Sequence, residues 1–129
     1  MIKMKSLHHV SLAITDVEQS KQFYKEKLGF LEIERPPFDF PGLWFQIGNQ
    51  QLHLIEYDLA KTLRHSGKID TRDGHLAIRV ASYSEAVQHL TDNQIAFLEK
   101  PNSKSGFKQI FVSDPDGNII EFNVEQKQP

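Results

Sequence analysis

From Ser6 to Asp16 the chain reads SLHHVSLAITD, with bulky apolar residues at every second position, Val10, Leu12 and Ile14. A period of two marks a strand with one buried face, because successive strand side chains point to opposite sides. That parity separates the two adjacent histidines. His8 falls in the set with Val10, Leu12 and Ile14, at the end of a packing face, while His9 falls with Ser11 and Ala13. The next run, DVEQSKQFYKEKL (16–28), opens on Asp16, an N-cap type, and carries Val17, Phe23, Tyr24 and Leu28 at helical spacing, with Gly29 to close it. FLEIER reads as a strand and PPFDFPG as turns. LWFQI and QLHLIEY are two more strands, joined by the hairpin signal Gly48-Asn49. The order is strand, helix, strand, strand, strand.

Residues 58–72, DLAKTLRHSGKIDTR, are polar without a clear period and read as a connector. After them the order repeats. GHLAIRV is a strand, YSEAVQHLTDN a helix started by Ser82 or Ser84 and ended by Asn93, and IAFLEK a strand. A loop spans 100–106, and FKQIFVS and NIIEFNV are strands around the turn DPDG, a strong short hairpin cue. The expected fold is α+β, two βαβββ modules at about 6–57 and 73–125 in a single domain, 1–129. Two curved sheets of this kind can pair and leave a cleft between them.

Four residues stand off the apolar faces at matching places. His75 shares a face with Ala77 and Arg79, away from Leu76, Ile78 and Val80. His53 lies opposite Leu52 and Leu54, and Glu121 opposite Ile120, Phe122 and Val124. His9 and His53 are 44 positions apart, His75 and Glu121 46. Three imidazoles and a carboxylate brought together suit a divalent transition metal such as zinc, nickel, iron, manganese or cobalt. Taken singly, each has a plainer reading: a hydrogen-bonded histidine for His53, a solvated sheet-face carboxylate for Glu121. Joint placement adds weight to the site, while spacing by itself leaves both readings open. His8, His65 and His89 fall to packing, loop and helix surface. Trp44 and Gln46 share a strand face that could reach the cleft, and Trp44 fits packing equally well. Arg79 could meet a substrate carboxylate or phosphate, or simply end a strand at the surface.

Composition narrows the class. A length of 129 residues allows one domain with a real core. A formal charge of −2, with no Lys/Arg block, argues against a nucleic-acid surface. No apolar run reaches membrane-span length, and MIKMKSLHHV lacks a signal-peptide core. With no cysteine there is no disulfide framework and no thiolate chemistry, so a cytoplasmic protein is expected.

The segments HHVSLAITD, GHLAIRV and FVSDPDGNIIEF resemble the vicinal oxygen chelate superfamily, which includes glyoxalase I, fosfomycin-resistance proteins, methylmalonyl-CoA epimerase, extradiol dioxygenases and bleomycin-binding proteins. The similarity runs from Leu7 to Val124 and is most specific in DPDGN-x-x-E. It implies paired βαβββ modules around a divalent metal that substrate oxygens chelate, with His9 rather than His8, His75 and Glu121 as ligands. The fourth ligand position matches His53, where bacterial glyoxalase I has glutamate and the epimerase glutamine. The resemblance thus implies a lactoylglutathione lyase-like metalloenzyme that promotes proton transfer through an enediolate-type intermediate, with Glu121 as base. A three-ligand set of His9, His75 and Glu121 would instead match a ring-cleavage dioxygenase or a fosfomycin-type transferase. A non-catalytic binding or resistance protein is the remaining class. The implied partners are a small-molecule substrate and a second copy in a homodimer.

Overall fold

The computed structural model describes residues 1–127, so the last two residues of the span 1–129 expected to form one domain lie outside the described residues. The chain divides into two compact units, Met1–Thr62 and the part from Leu63 onward. Each carries one four-stranded mixed sheet, the α+β pattern of two βαβββ runs.

The first unit runs β1 (His9–Ile14), α1 (Val17–Lys21), β2 (Leu31–Ile33), β3 (Gly42–Ile47) and β4 (Gln50–Glu56). The sheet order is β1-β4-β3-β2, with β1 parallel to β4 and the other pairs antiparallel. Asp16 caps α1 by accepting from the Gln19 N–H at 3.2 Å, and Glu56 accepts from Val17 N–H at 3.1 Å. The helix does not run on regularly to Leu28. It widens into a π-helix over Gln22–Lys27, where Leu28 N–H bonds Phe23 C=O at 2.9 Å. Adjacent Phe23 and Tyr24 are both buried there, and the Tyr24 ring centre lies 5.9 Å from that of Phe45. Gly48 alone of the two hairpin residues has positive φ, +56°, as a II′ turn requires.

The second unit runs β5 (Leu76–Arg79), α2 (Tyr83–Asp92), β6 (Leu98–Lys100), β7 (Phe107–Ser113) and β8 (Ile119–Glu125), in sheet order β5-β8-β7-β6. Of the two candidate starts for α2, Ser82 is the cap, accepting from Glu85 N–H at 3.2 Å. The core gathers Leu90, Ile95, Ile110, Val112, Ile120, Phe122 and Val124. The DPDGN turn is built on buried Asp114, whose Oδ1 accepts from Asp116 and Asn118 N–H at 2.9 and 2.8 Å. Gly117 has φ +86°, and a Cβ there would lie 2.2 Å from Ser66 C=O.

No strand or helix interrupts the run from Tyr57 to His75. It is nonetheless tied down on the second unit's side. Leu63 is buried, and Arg64 bonds Asp73 Oδ2 at 3.0 Å, Gly117 C=O at 3.1 Å and Gly74 C=O. Among the described residues no helix is long and apolar enough to cross a membrane.

Candidate functional site

Strand register places the four off-face residues in two equivalent pairs. His9 lies opposite Gln51 on the parallel neighbour β4, and His53 is two residues further along, on the same face. In the second unit Leu76 lies opposite Ile120, so His75 aligns with Ile119, and Glu121 is again two residues on. Each pair is in direct contact.

Glu121 is only 3% exposed, which removes the plain reading of a solvated carboxylate. Its Oε1 lies 2.9 Å from His75 Nε2, and its Oε2 accepts from Asn123 Nδ2 at 2.7 Å and Gln109 Nε2 at 3.2 Å. His75 Nδ1 is 2.7 Å from the Asp73 carbonyl, an acceptor only, so Nδ1 carries a proton. In a neutral ring Nε2 then turns its lone pair toward a carboxylate. A shared proton or a shared cation between the two atoms satisfies that arrangement. Anchoring the non-ligating nitrogen on a backbone carbonyl is also how metal-bound histidines are usually oriented.

In the first unit the rings of His9, His53 and Trp44 form a stack across β1, β4 and β3, with centroids 4.1 and 4.0 Å apart and planes within 16° and 4°. His53 is 6% exposed, and burial, with the charges of His9, His8 and Arg35 adding to it, pushes its pKa down to about 4. It is therefore neutral near pH 7, as a metal ligand must be. Its Nε2 is held by Gln51 Oε1 at 2.8 Å, and among the described residues Nδ1 has no hydrogen bond. His8 corrects the parity reading. It precedes β1, so strand alternation does not govern it, and instead of packing it is exposed, with Nδ1 2.8 Å from His9 Nδ1. His9 thus has Nδ1 engaged, and among the described residues its Nε2 has no hydrogen bond, as a ligand requires.

Trp44 is half-buried in the stack. Gln46 lies on the same face, but its amide donates to Gly48 and Gln50 C=O at 2.8 and 3.1 Å, closing the β3–β4 hairpin. Arg79 donates to Asn123 Oδ1 at 2.7 Å and lies 4.7 Å from the Phe107 ring centre. Sequence reasoning missed Gln51, Gln109 and Asn123. Parity was the available signal for Asn123 and Gln51, each two residues from a named site residue on its own strand. Gln109 joins Glu121 only through β7–β8 pairing.

In donor chemistry the two pairs fit a divalent transition metal: three imidazoles and one buried carboxylate. In neither unit do three such donors converge, among the described residues. The chain is 29% identical to "Glyoxylase I 4" of Arabidopsis thaliana over 93% of its own length and 71% of that protein's. It is 25% identical to metallothiol transferase FosB of Staphylococcus saprophyticus, over 94% and 78% of the two. A glyoxalase family protein from Bacillus anthracis has the same fold, with a TM-score of 0.80 at 26% identity, over 97% and 98% of the two chains. The sequence model of the Glyoxalase/Bleomycin resistance protein/Dioxygenase superfamily matches residues 6–122, and the chain belongs to that superfamily.

Proposed function

We propose that the protein is a glyoxalase-like metalloenzyme acting on a small oxygen-bearing substrate, with one divalent metal held by His9, His75 and Glu121 and by His53 as fourth ligand. The observation that carries this reading is the 2.9 Å approach of His75 Nε2 to Glu121 Oε1, with His75 Nδ1 anchored on a backbone carbonyl. When bound, the metal supplies Lewis-acid polarisation of substrate oxygens. Glu121 takes the proton from the carbon beside the substrate carbonyl. Asn123 and Gln109 hold its second oxygen, so the carboxylate meets that proton in one fixed orientation. The Trp44 ring, stacked on His53, offers a flat wall to the substrate. The chain works as one domain of two modules, 6–57 and 73–125, in a cytoplasmic homodimer.

A second reading uses His9, His75 and Glu121 alone, as a thiol transferase or a dioxygenase would. It is favoured by the engagement of His53 Nε2 with Gln51 and by the similarity to a metallothiol transferase. Elemental analysis of the purified protein, with assays on hemithioacetals, thiol plus epoxide, and catechol plus oxygen, separates the readings. Stoichiometric metal with hemithioacetal isomerisation supports the first. Turnover of epoxide or catechol alone selects the second. Protein that takes up no divalent metal overturns both and leaves a binding protein.

A further inference from the structure

In the segment between β2 and β3, Arg35 precedes two prolines and two exposed aromatics, Phe38 and Phe40, in RPPFDF. The two rings stack on each other, with centroids 5.1 Å apart and planes within 21°. The Arg35 guanidinium carbon lies 4.8 and 5.0 Å from their centres. Such contacts hold an arginine side chain in place without neutralising it. The guanidinium also crosses β3 at Gly42, where a Cβ would lie 2.9 Å from Nε and Nη2. By strand alternation Gly42 shares the face of Trp44, which pairs with His53.

Among the described residues Arg35 forms no ion pair, and its one hydrogen bond is from Nη2 to Phe40 C=O at 2.9 Å. Its Nε–H is buried without an acceptor. Arg64 and Arg79 both have acidic partners, Asp73 and Glu125. A half-buried guanidinium that lacks a carboxylate is unfavourable unless an anion joins it, and its planar fork matches oxyanions in two-point contact. The rings continue toward the histidines: Phe38 lies 6.2 Å from Trp44, which stacks on His53 and through it on His9.

We infer that Arg35 recognises an oxyanion of the substrate, a carboxylate, phosphate or phosphonate, at the end of this ring face remote from His9. The inference rests on the proposal that the His9–His53–Trp44 face belongs to the substrate site. It narrows the substrate to small anionic molecules and adds a specificity residue.

Trp44 is the single tryptophan of the chain, so its fluorescence reports on this face. The probes are phenylphosphonate and the neutral benzyl alcohol, titrated into wild type, Arg35→Met and Arg35→Lys. Metal content is measured on the same preparations. Wild type should show a saturable Trp44 response to phenylphosphonate, weakened about ten- to a hundred-fold in Arg35→Met and less in Arg35→Lys, as loss of a charge-assisted bond implies. Benzyl alcohol should not distinguish wild type from Arg35→Met, and Arg35→Met should keep wild-type metal content. Absence of a saturable response in wild type, or equal phenylphosphonate affinity in Arg35→Met, overturns the inference while the metal result judges the enzyme proposal separately. If Arg35→Met does not fold, the wild-type Arg35 Nε–H resonance decides: it should move with phenylphosphonate, and an unmoved resonance overturns the inference.

Discussion

His8 and His9 are neighbours in sequence and touch in space, yet β1 begins between them, and only His9 is set by the sheet on the face of His53. His9→Ala should abolish tight metal uptake, measured by titration of the chelator-treated protein. His8→Ala removes only an orienting contact and should weaken uptake by about ten- to a hundred-fold at most. Equal losses in both variants would refute the assignment of His9. Glu121→Gln should leave the circular dichroism spectrum in place while turnover falls by about a hundred-fold or more. Unchanged turnover in that variant rules Glu121 out as base. His53 makes stability depend on pH. Folding lowers its pKa from 6.5 to about 4, so as pH falls the unfolded chain takes the proton first. The contribution is complete above about 6.5 and is lost as pH falls toward about 4. Urea midpoints of metal-free protein should decline across that window, and His53→Gln should flatten the decline. Parallel curves for the two proteins contradict the shift.

The turn between β7 and β8 concentrates requirements that its sequence only partly advertises. Asp-Gly marks a turn, but the loop spans five residues, and the Asp114 carboxylate organises it. Asp114→Ala would leave two backbone N–H groups and the Asn118 amide without that acceptor, each worth about 1–3 kcal/mol when buried. Asp16→Ala at the exposed cap of α1 should cost only about 1 kcal/mol. Thermal denaturation should therefore rank Asp114→Ala well below Asp16→Ala, and the reverse order would contradict the buried network. Gly117→Ala faces both a positive φ and the Ser66 carbonyl, so it should destabilise more than the roughly 1 kcal/mol of a conformational penalty alone. The π-helix over Gln22–Lys27 has no comparable sequence mark. Helical spacing of Val17, Phe23, Tyr24 and Leu28 announces a helix, but both aromatics are buried in the widened turn.

At the scale of the molecule, two units present one donor pair each, His9 with His53 and His75 with Glu121. The proposed metal site draws on both pairs, and in a homodimer the pairs can come from one chain or from two. Complementation decides. His9→Ala and Glu121→Ala chains are unfolded, mixed and refolded together. If sites are shared between chains, half of the sites in each heterodimer are intact and metal uptake reappears. If each site lies within one chain, the mixture takes up no more metal than the separate variants. We expect the first outcome, because the polar connector 58–72 is long enough to allow exchange of modules.

Local periodicity, turn chemistry and duplication, all written in nearest-neighbour geometry, were legible from the sequence alone. They yielded the two βαβββ runs, the helix caps at Asp16 and Ser82, the hairpin at Gly48-Asn49, and the common faces of His9 with Ser11 and of Glu121 opposite Phe122. Parity misled at His8, which lies before the strand that would have governed it. Tertiary structure decided what depends on register between strands far apart in the chain. It set the offset of two residues that brings each pair into contact, the burial of Glu121, and its bonds from Gln109 and Asn123. It also tied Arg64 to the DPDGN turn and laid Arg35 across Gly42 between two phenylalanine rings. Alternation assigns a side chain to a face, but only the paired sheet determines which donor, ring or charge it meets there.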